Sequence, residues 1–286
     1  MTAFALLLVL LSAVLHATWN LAAKRASGGL AFALLLNVVA VVVLAPVVIA
    51  FLLLDKPHIG LAELGMMLGS GVLQSAYFIV LFRGYRLGDL SLVYPLARGT
   101  GPLVATTGAI ILLGERPSLL ALAGAILISL GALFLTGGPA MLRSSNSGAA
   151  ALYGLATGAL IGAYTLWDKQ AVSVFMIAPL LQYYGAAVAC CLLLLPFVRG
   201  READVKREWR EHKPALAIVG ILSPISYILV LTALTISPVS YVAPTREISI
   251  LLGAVLGTRL LAESDAQRKL VASGAMVLGV IALAFG

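Results

Sequence analysis

Charged residues are scarce in this chain of 286 residues. Asp, Glu, Lys and Arg make up 11% of the sequence, whereas they make up about 25% of an ordinary soluble domain. The longest polar stretch, residues 199–213, is too short to form a folded domain of its own. This composition excludes a soluble globular protein. The net charge of +7 therefore indicates membrane topology rather than binding to nucleic acid.

Cysteine and histidine are also rare. Cys190 and Cys191 are adjacent in an apolar run, so they cannot form an ordinary disulfide within that helix, and they lack the spacing of metal ligands. The histidines, at positions 16, 58 and 212, form no HExxH motif, and the sequence contains no GxSxG or GxxxxGK[ST] motif. The sequence therefore predicts a protein without metal or cofactor that is not an enzyme.

Long apolar runs, by contrast, recur along the whole chain, and 61% of the residues are hydrophobic. A run of about 18 or more such residues is long enough to cross a bilayer as a helix. The sequence therefore predicts an all-α polytopic membrane protein with ten transmembrane helices. The predicted spans are residues 3–23, 29–54, 61–86, 90–113, 118–137, 149–169, 176–199, 214–235, 238–258 and 268–285.

The two halves of the chain resemble each other. A shift of 148 residues places Arg98 on Arg246 and Glu115 on Glu263. Because five spans per half is an odd number, the two repeats must lie inverted in the bilayer, which is the layout of many secondary transporters. The predicted division is a first repeat at 1–139, a linker at 140–148 and a second repeat at 149–286.

Lys and Arg are unevenly distributed between the connections. Of the 19 such residues, 14 follow odd-numbered spans and three follow even-numbered spans. Because Lys and Arg accumulate in cytoplasmic loops, this bias predicts that the odd-numbered connections are cytoplasmic and that both termini lie outside. The cytoplasmic connection at 199–213 mixes charges of both signs, which is typical of a solvated surface helix.

Spans four and nine each carry a proline followed by an arginine. Pro95 precedes Arg98, and Pro244 precedes Arg246. Inserting an arginine near the middle of a membrane costs a free energy of about 2.5–3.5 kcal/mol on insertion scales. A proline has no backbone N–H, so one backbone carbonyl of the preceding turn lacks its hydrogen-bond donor. We expect these features to border a polar cavity. The prolines at which helices are predicted to bend during transport are Pro95, Pro102, Pro224 and Pro244.

Other polar and aromatic side chains lie at helical spacing on the spans around this cavity. His16 and Asn20 are four residues apart, for example, and Tyr94 is four residues before Arg98. Packing between helices would explain many of these side chains equally well. The predicted substrate-binding residues are His16, Trp19, Asn20, Gln74, Tyr77, Tyr94, Arg98, Tyr164, Tyr227, Arg246 and Glu247.

Two interpretations of Arg98 remain open at this point. It either binds an anionic group of a substrate or pairs permanently with Glu247 from the other half, and a pair that opens on binding would combine both roles. Arg98, Arg246 and Glu247 together carry a charge of +1. That balance favours a substrate with a negative group, including a zwitterion.

Three further features of the spans carry predictions. A ladder of glycines at 154, 158 and 162, and the pair at 253 and 257, predict close packing between helices of one chain rather than a dimer face. Glu115 and Glu263 end their spans, which predicts a structural role as a cap or a loop partner. Trp167 and Asp168 are predicted to lie at the membrane interface.

Several of these segments resemble a known family. The sequences HATWN at 16–20 and GDLSLVYPLARGTGP at 88–102, together with Gly114-Glu115, Arg246-Glu247 and Glu263, resemble the EamA-type transporters of the drug/metabolite transporter superfamily. The resemblance covers essentially the whole chain as two repeats of five helices. It implies a secondary transporter of the bacterial cytoplasmic (inner) membrane that exports a small organic metabolite.

The substrate expected from the charges and from this resemblance is an amino acid or a related carboxylate or zwitterion. The alternatives are efflux of drugs or other cations, and uptake of organic or phosphonate-like anions. The expected partners are the small-molecule substrate and the lipid bilayer, and the chain is expected to be a monomer or a weak homodimer.

Overall fold

The computed structural model describes residues 1–23, 29–87, 90–136, 147–253 and 266–286, and these residues fold into helices without strands. The first half contains α1 (Ala3–Ala23), α2 (Leu30–Asp55), α3 (Leu61–Leu87), α4 (Leu90–Leu113) and α5 (Leu119–Thr136). The second half contains α6 (Ser147–Ser173), α7 (Pro179–Val198), α8 (Glu202–Glu211), α9 (Lys213–Ile236), α10 (Val239–Thr245), α11 (248–253) and α12 (Ala266–Phe285).

Seven helices, α1 to α4, α6, α7 and α9, are long and apolar enough to cross a membrane. These candidate spans coincide with seven of the predicted ones. The apolar parts of α5 and α12 within the described residues are shorter, at Leu119–Leu135 and Val271–Phe285. The count of ten spans therefore stays a prediction. The outer surface is strongly apolar, with Leu54, Leu61 and Leu119 each more than 80% exposed, as expected of helices that face lipid.

The predicted ninth span is not one continuous helix. α10 ends at Thr245, Arg246 and Glu247 form a turn, and α11 resumes at residue 248. Pro244 has no backbone N–H, so the helix loses one hydrogen bond there. Short bonds replace the helical pattern: the N–H of Glu247 donates to the carbonyl of Pro244, and that of Ile250 to the carbonyl of Glu247. The other three predicted bending positions, Pro95, Pro102 and Pro224, lie in helices that continue past them.

The connection at 199–213 forms the short helix α8, as predicted. Most of its residues are exposed, and Arg207 pairs with Asp204 at 3.1 Å on its surface. The backbone N–H of Gly200 donates to Glu202, and this hydrogen bond lowers the pKa of that carboxyl group.

Corresponding helices of the two halves make corresponding contacts. α1 packs on α9 as α6 packs on α3, and α2 packs on α9 as α7 packs on α3. Three pairs, α2 with α7, α5 with α12, and α4 with α10, join corresponding helices of the two halves. One core cluster contains residues from α1, α4, α6, α9 and α10, so both halves contribute to the same part of the hydrophobic interior.

The glycine ladder of α6 packs within the chain, as predicted. Gly154, Gly158 and Gly162 all face α4, and an ideal Cβ atom added at any of them would lie 2.6–2.8 Å from a side-chain carbon of α4. The close approach of α4 and α6 therefore depends on these three glycines. Within the described part of the chain, Gly253 has no such neighbour within 4 Å, and Gly257 lies outside that part.

Candidate functional site

A cavity of about 940 Å³ lies between the two halves. Its volume is at the upper end of the range of about 300–1,000 Å³ that is usual for sites that bind small molecules. It reaches the ends of α1 and α3 and the beginnings of α2 and α8, through Ala23, Arg86, Gly29 and Arg201. The cavity therefore extends from the interior of the bundle to one of its two ends.

The structure brings ten of the eleven predicted substrate-binding residues to the wall of this cavity. They are His16, Trp19, Asn20, Gln74, Tyr77, Tyr94, Arg98, Tyr164, Tyr227 and Arg246. The eleventh, Glu247, lies behind Arg98. Of the four predicted bending positions, Pro224 lines the cavity. Pro95 and Pro102 lie in α4, the helix that carries Arg98.

Arg98 and Glu247 form a buried ion pair between the two halves. Nη2 of Arg98 is 3.0 Å from Oε2 of Glu247, and the same nitrogen donates to Oγ of Ser249 at 3.2 Å. Arg98 is 9% exposed and Glu247 3% exposed. The structure thus contains the ion pair that was one of the two open interpretations of Arg98. The turn at Arg246 and Glu247 explains the geometry, because it interrupts the helix where Glu247 meets α4.

Arg246 has a different environment from Arg98. Its guanidinium carbon lies 5.1 Å from the centre of the Tyr227 ring, a cation–π contact. The hydroxyl of Tyr227 donates to Oδ2 of Asp168 at 2.6 Å. Nε2 of Gln182 donates to the other carboxylate oxygen of Asp168 at 2.9 Å. Arg246, Tyr227 and Asp168 thus form a continuous polar row that leads away from the cavity.

Asp168 was predicted to lie at the membrane interface, but the structure buries it inside the bundle. It is 1% exposed, and its carboxylate is surrounded by α6, α7 and α9. Its neighbour Trp167 is 39% exposed, and its Nε1 donates to the carbonyl of Met66. Asp168 lies near the end of its helix, but Gln182 of α7 and Tyr227 of α9 contact its carboxylate there, so proximity to a helix end does not expose the side chain.

Aromatic rings form much of the cavity wall. Tyr164 contacts Tyr77 on one side and Tyr227 on the other, with 6.1 Å between ring centres in both pairs. His16 and Trp19 meet edge to face at 4.5 Å. Trp19 and Tyr164, both predicted as substrate-binding residues, lie on this wall. Such a wall can hold a flat apolar group against several ring faces.

Several cavity residues were not singled out from the sequence. They include Phe32, Asn37, Phe78 and Phe82, as well as Arg83, Arg86 and Arg201 at the mouth. Asn37 carries the signal that was available, since it is the one polar residue in the long apolar run of α2. The phenylalanines carry no such signal, because phenylalanine is equally common in helices that face lipid.

The opposite end of the bundle is held together by Glu115 and Lys169. α4 begins where α3 ends and contains 24 residues, so its C-terminus lies about 36 Å from the cavity mouth. There the carboxylate of Glu115 accepts hydrogen bonds from the backbone N–H groups of Val239 and Ser240 and from Oγ of Ser240, at 2.6–2.9 Å. This confirms the predicted capping role of Glu115; Glu263 lies outside the described residues.

Lys169 completes this contact from α6. Its Nζ donates to the carbonyl groups of Leu234 and Ser237 at 2.6 and 3.1 Å, at the C-terminus of α9, where a cation is favourable. A smaller cavity of about 460 Å³ adjoins both side chains. Glu115 and Lys169 thus fix the α9–α10 connection to the ends of α4 and α6.

Replacement of Glu115 by alanine tests this connection. Loss of a helix cap costs about 0.5–2 kcal/mol, and we expect a value near the upper end because three hydrogen bonds disappear. The measurement is the unfolding midpoint of the purified protein in detergent. Glu211→Ala, on the exposed surface of α8, is the control. An equal, negligible shift in both variants would contradict the structural role of Glu115.

The fold and the site together define a polytopic helical membrane protein with a solute-sized cavity, lined by apolar rings and buried arginines, between two sets of helices. The EamA-like transporter family model matches the sequence twice, over residues 3–137 and 148–285. The chain therefore belongs to the EamA-like transporter family, whose members are transporters rather than enzymes. This confirms the family that the sequence motifs predicted.

The fold is also found among solved structures, of which 29 chains match. One of them, titled only "Crystal structure of protein", aligns with a TM-score of 0.80 over 99% of this chain and 96% of its own length, at 16% identity. At that identity the likeness concerns the fold alone. A search of curated proteins gave no significant match.

Proposed function

We propose that the protein is a secondary active transporter that moves a small polar organic metabolite by alternating access. The observation that carries the proposal is the cavity of about 940 Å³, which reaches one end of the bundle and contains buried charges from both halves. Family membership supports the transport function. The predicted substrate is an amino acid or a related carboxylate or zwitterion, and the arginines on the cavity wall support an anionic group on it.

The orientation belongs to the same proposal. The mouth of the cavity contains Arg83, Arg86 and Arg201, which belong to the arginine-rich and lysine-rich side of the chain. That side is cytoplasmic by the charge bias, so the cavity opens to the cytoplasm and both termini lie outside. The proposed membrane is the bacterial inner membrane, and the proposed direction is export, as the family resemblance implies.

Alternating access then requires the closed end to open. In this proposal the two halves are inverted repeats, and the symmetric pairing of their helices supports that relation. Closing the mouth and releasing the contacts of Glu115 and Lys169 would expose the same site to the other side. The pair of Arg98 and Glu247 links the halves at the cavity and is suited to respond to a bound anion.

Exchange in proteoliposomes tests the proposal. Vesicles that contain the purified protein are loaded with an unlabelled amino acid, carboxylate or amine and diluted into the same compound in labelled form. We expect saturable uptake of label that is faster in loaded than in empty vesicles. Arg98→Ala and Arg246→Ala should each reduce the initial rate at least about tenfold, because hydrogen bonds to charged groups contribute about 1.5–3 kcal/mol.

The control is Arg207→Ala, which removes an arginine from the exposed surface of α8 and should leave the rate unchanged. Uptake that does not saturate and is indifferent to internal substrate would identify a channel and overturn the carrier proposal. Wild-type rates in both cavity variants would overturn the site.

A further inference from the structure

Arg246 is a buried cation without a carboxylate partner in the described part of the chain. It is 8% exposed and lines the cavity. The carboxylate nearest in sequence, Glu247, forms its ion pair with Arg98 instead. A buried charge is costly unless it is paired. A site that retains an unpaired arginine therefore indicates a ligand that supplies the missing negative charge.

Asp168 does not fill this role. Its two carboxylate oxygens accept hydrogen bonds from the neutral groups of Tyr227 and Gln182. Arg246 contacts Tyr227 through the face of the ring, whereas Asp168 contacts the hydroxyl at the end of the ring. Asp168 thus lies behind Tyr227 as seen from the cavity, and it leaves the guanidinium of Arg246 free to contact a solute.

The remainder of the cavity wall has the same sign of charge. Five arginines line it, and among the lining residues that the structure describes there is no Asp or Glu. The five are Arg83, Arg86, Arg98, Arg201 and Arg246. Walls of one charge sign concentrate solutes of the opposite sign. An ammonium group, by contrast, would find no free carboxylate at this wall, since the charge of Glu247 is already neutralised by Arg98.

The uncharged part of the wall defines the other end of the ligand. Tyr77, Tyr164 and Tyr227 form a row of contacting rings next to Arg246, and Phe78 and Phe82 continue the apolar surface toward the mouth. Ring faces favour a flat apolar body. Because Arg246 contacts one of these rings directly, the apolar surface and the cation adjoin, which suits a compact molecule with its anionic group at one end.

We propose that the ligand of this cavity is an organic anion with an apolar or aromatic body and no ammonium group, and that Arg246 binds its anionic group. The inference rests on the proposed transport function and narrows its substrate class from carboxylates and zwitterions to anions alone. Arg98 is already paired with Glu247 before the anion binds, and the arginines at the mouth attract the anion from solution.

Three ligands with one common body test the inference. 3-Phenylpropanoate carries only the carboxylate, phenylalanine carries both charges, and 2-phenylethylamine carries only the ammonium group. Their binding to the purified protein in detergent is measured by calorimetry at neutral pH and low salt. We expect the wild-type protein to bind 3-phenylpropanoate at least about tenfold more tightly than phenylalanine, and 2-phenylethylamine more weakly than either, because an unpaired buried ammonium group loses its hydration.

Substitutions of Arg246 test whether this residue binds the anionic group. Arg246→Gln should weaken binding of 3-phenylpropanoate at least about tenfold, Arg246→Lys should weaken it less because the charge remains, and Arg207→Gln should have no effect. The comparison of the three ligands on the wild-type protein needs no variant, so it tests the preference for anions even if Arg246→Gln does not fold. Tighter binding of phenylalanine or of 2-phenylethylamine would overturn the inference, and so would the absence of binding by 3-phenylpropanoate.

The two proposals fail in different ways. Exchange of an amino acid or an amine in proteoliposomes, together with weak binding of the anion, would leave the transporter standing and overturn the anion site. Tight binding of 3-phenylpropanoate without any exchange would preserve the anion site and overturn the transport function.

Discussion

Glu247→Gln is expected to destabilise the protein by about 3–5 kcal/mol, because removing one partner of a buried ion pair leaves the other charge uncompensated. Arg98 and Glu247 are 9% and 3% exposed and their charged atoms are 3.0 Å apart. Glutamine has almost the same shape as glutamate, so the loss reports on charge rather than on packing. Because the pair joins α4 to the turn before α11, both halves of the bundle should loosen. The measurement is denaturant unfolding in detergent micelles.

A surface pair in the same chain is the matched control. Asp204 and Arg207 on α8 lie 3.1 Å apart, close to the distance in the buried pair, but their side chains are 44% and 57% exposed. Asp204→Asn should therefore change stability by less than about 1 kcal/mol. The double variant Arg98→Gln with Glu247→Gln removes both buried charges and should recover much of the loss. Equal effects of Glu247→Gln and Asp204→Asn would show that burial does not strengthen this pair.

Hydropathy predicted most helices of the first half closely. The observed bounds of α1, α2, α3 and α4 differ from the predicted spans by one residue at most. The physical reason is that a bilayer core offers the backbone no hydrogen-bond partners, so a long apolar run has to satisfy them within its own helix. The same reasoning placed Arg98 and Arg246 in the interior, because neither is tolerated against lipid.

The sequence did not locate the break in the ninth span at Arg246 and Glu247. Pro244 predicted a distortion in the ninth span but not where the helix would resume, because that depends on which partner Glu247 meets. Asp168 shows the same limit. Its position near a helix end suggested the interface, whereas its burial follows from Tyr227 and Gln182 on two other helices. Contacts between helices depend on how each helix is rotated about its axis and packed against the others, and the sequence of a single span does not determine this.

The glycine ladder of α6 is the case in which a sequence pattern predicted a contact correctly. Gly158→Leu should strongly destabilise the contact between α4 and α6. An ideal Cβ at this position would lie 2.7 Å from Cβ of Thr100, 3.0 Å from the carbonyl oxygen of Ala97 and 3.1 Å from the nitrogen of Gly101. Two of these atoms belong to the backbone of α4 and cannot move without the helix. Overpacking typically costs about 1–3 kcal/mol, and we expect the upper end or more. The measurement is the unfolding midpoint in detergent.

Gly148→Leu is the control, since a Cβ added at this glycine of the same helix would have no atom of the described residues within 4 Å. It should leave the midpoint almost unchanged, and Gly158→Ala should fall between the two leucine variants. The displacement of α4 has a second consequence, because α4 carries Arg98 to its pair with Glu247. Any Gly158→Leu protein that still folds should therefore show reduced exchange, whereas a change in exchange by Gly148→Leu, or a Gly158→Leu protein as stable as the wild type, would contradict the close contact of α4 and α6.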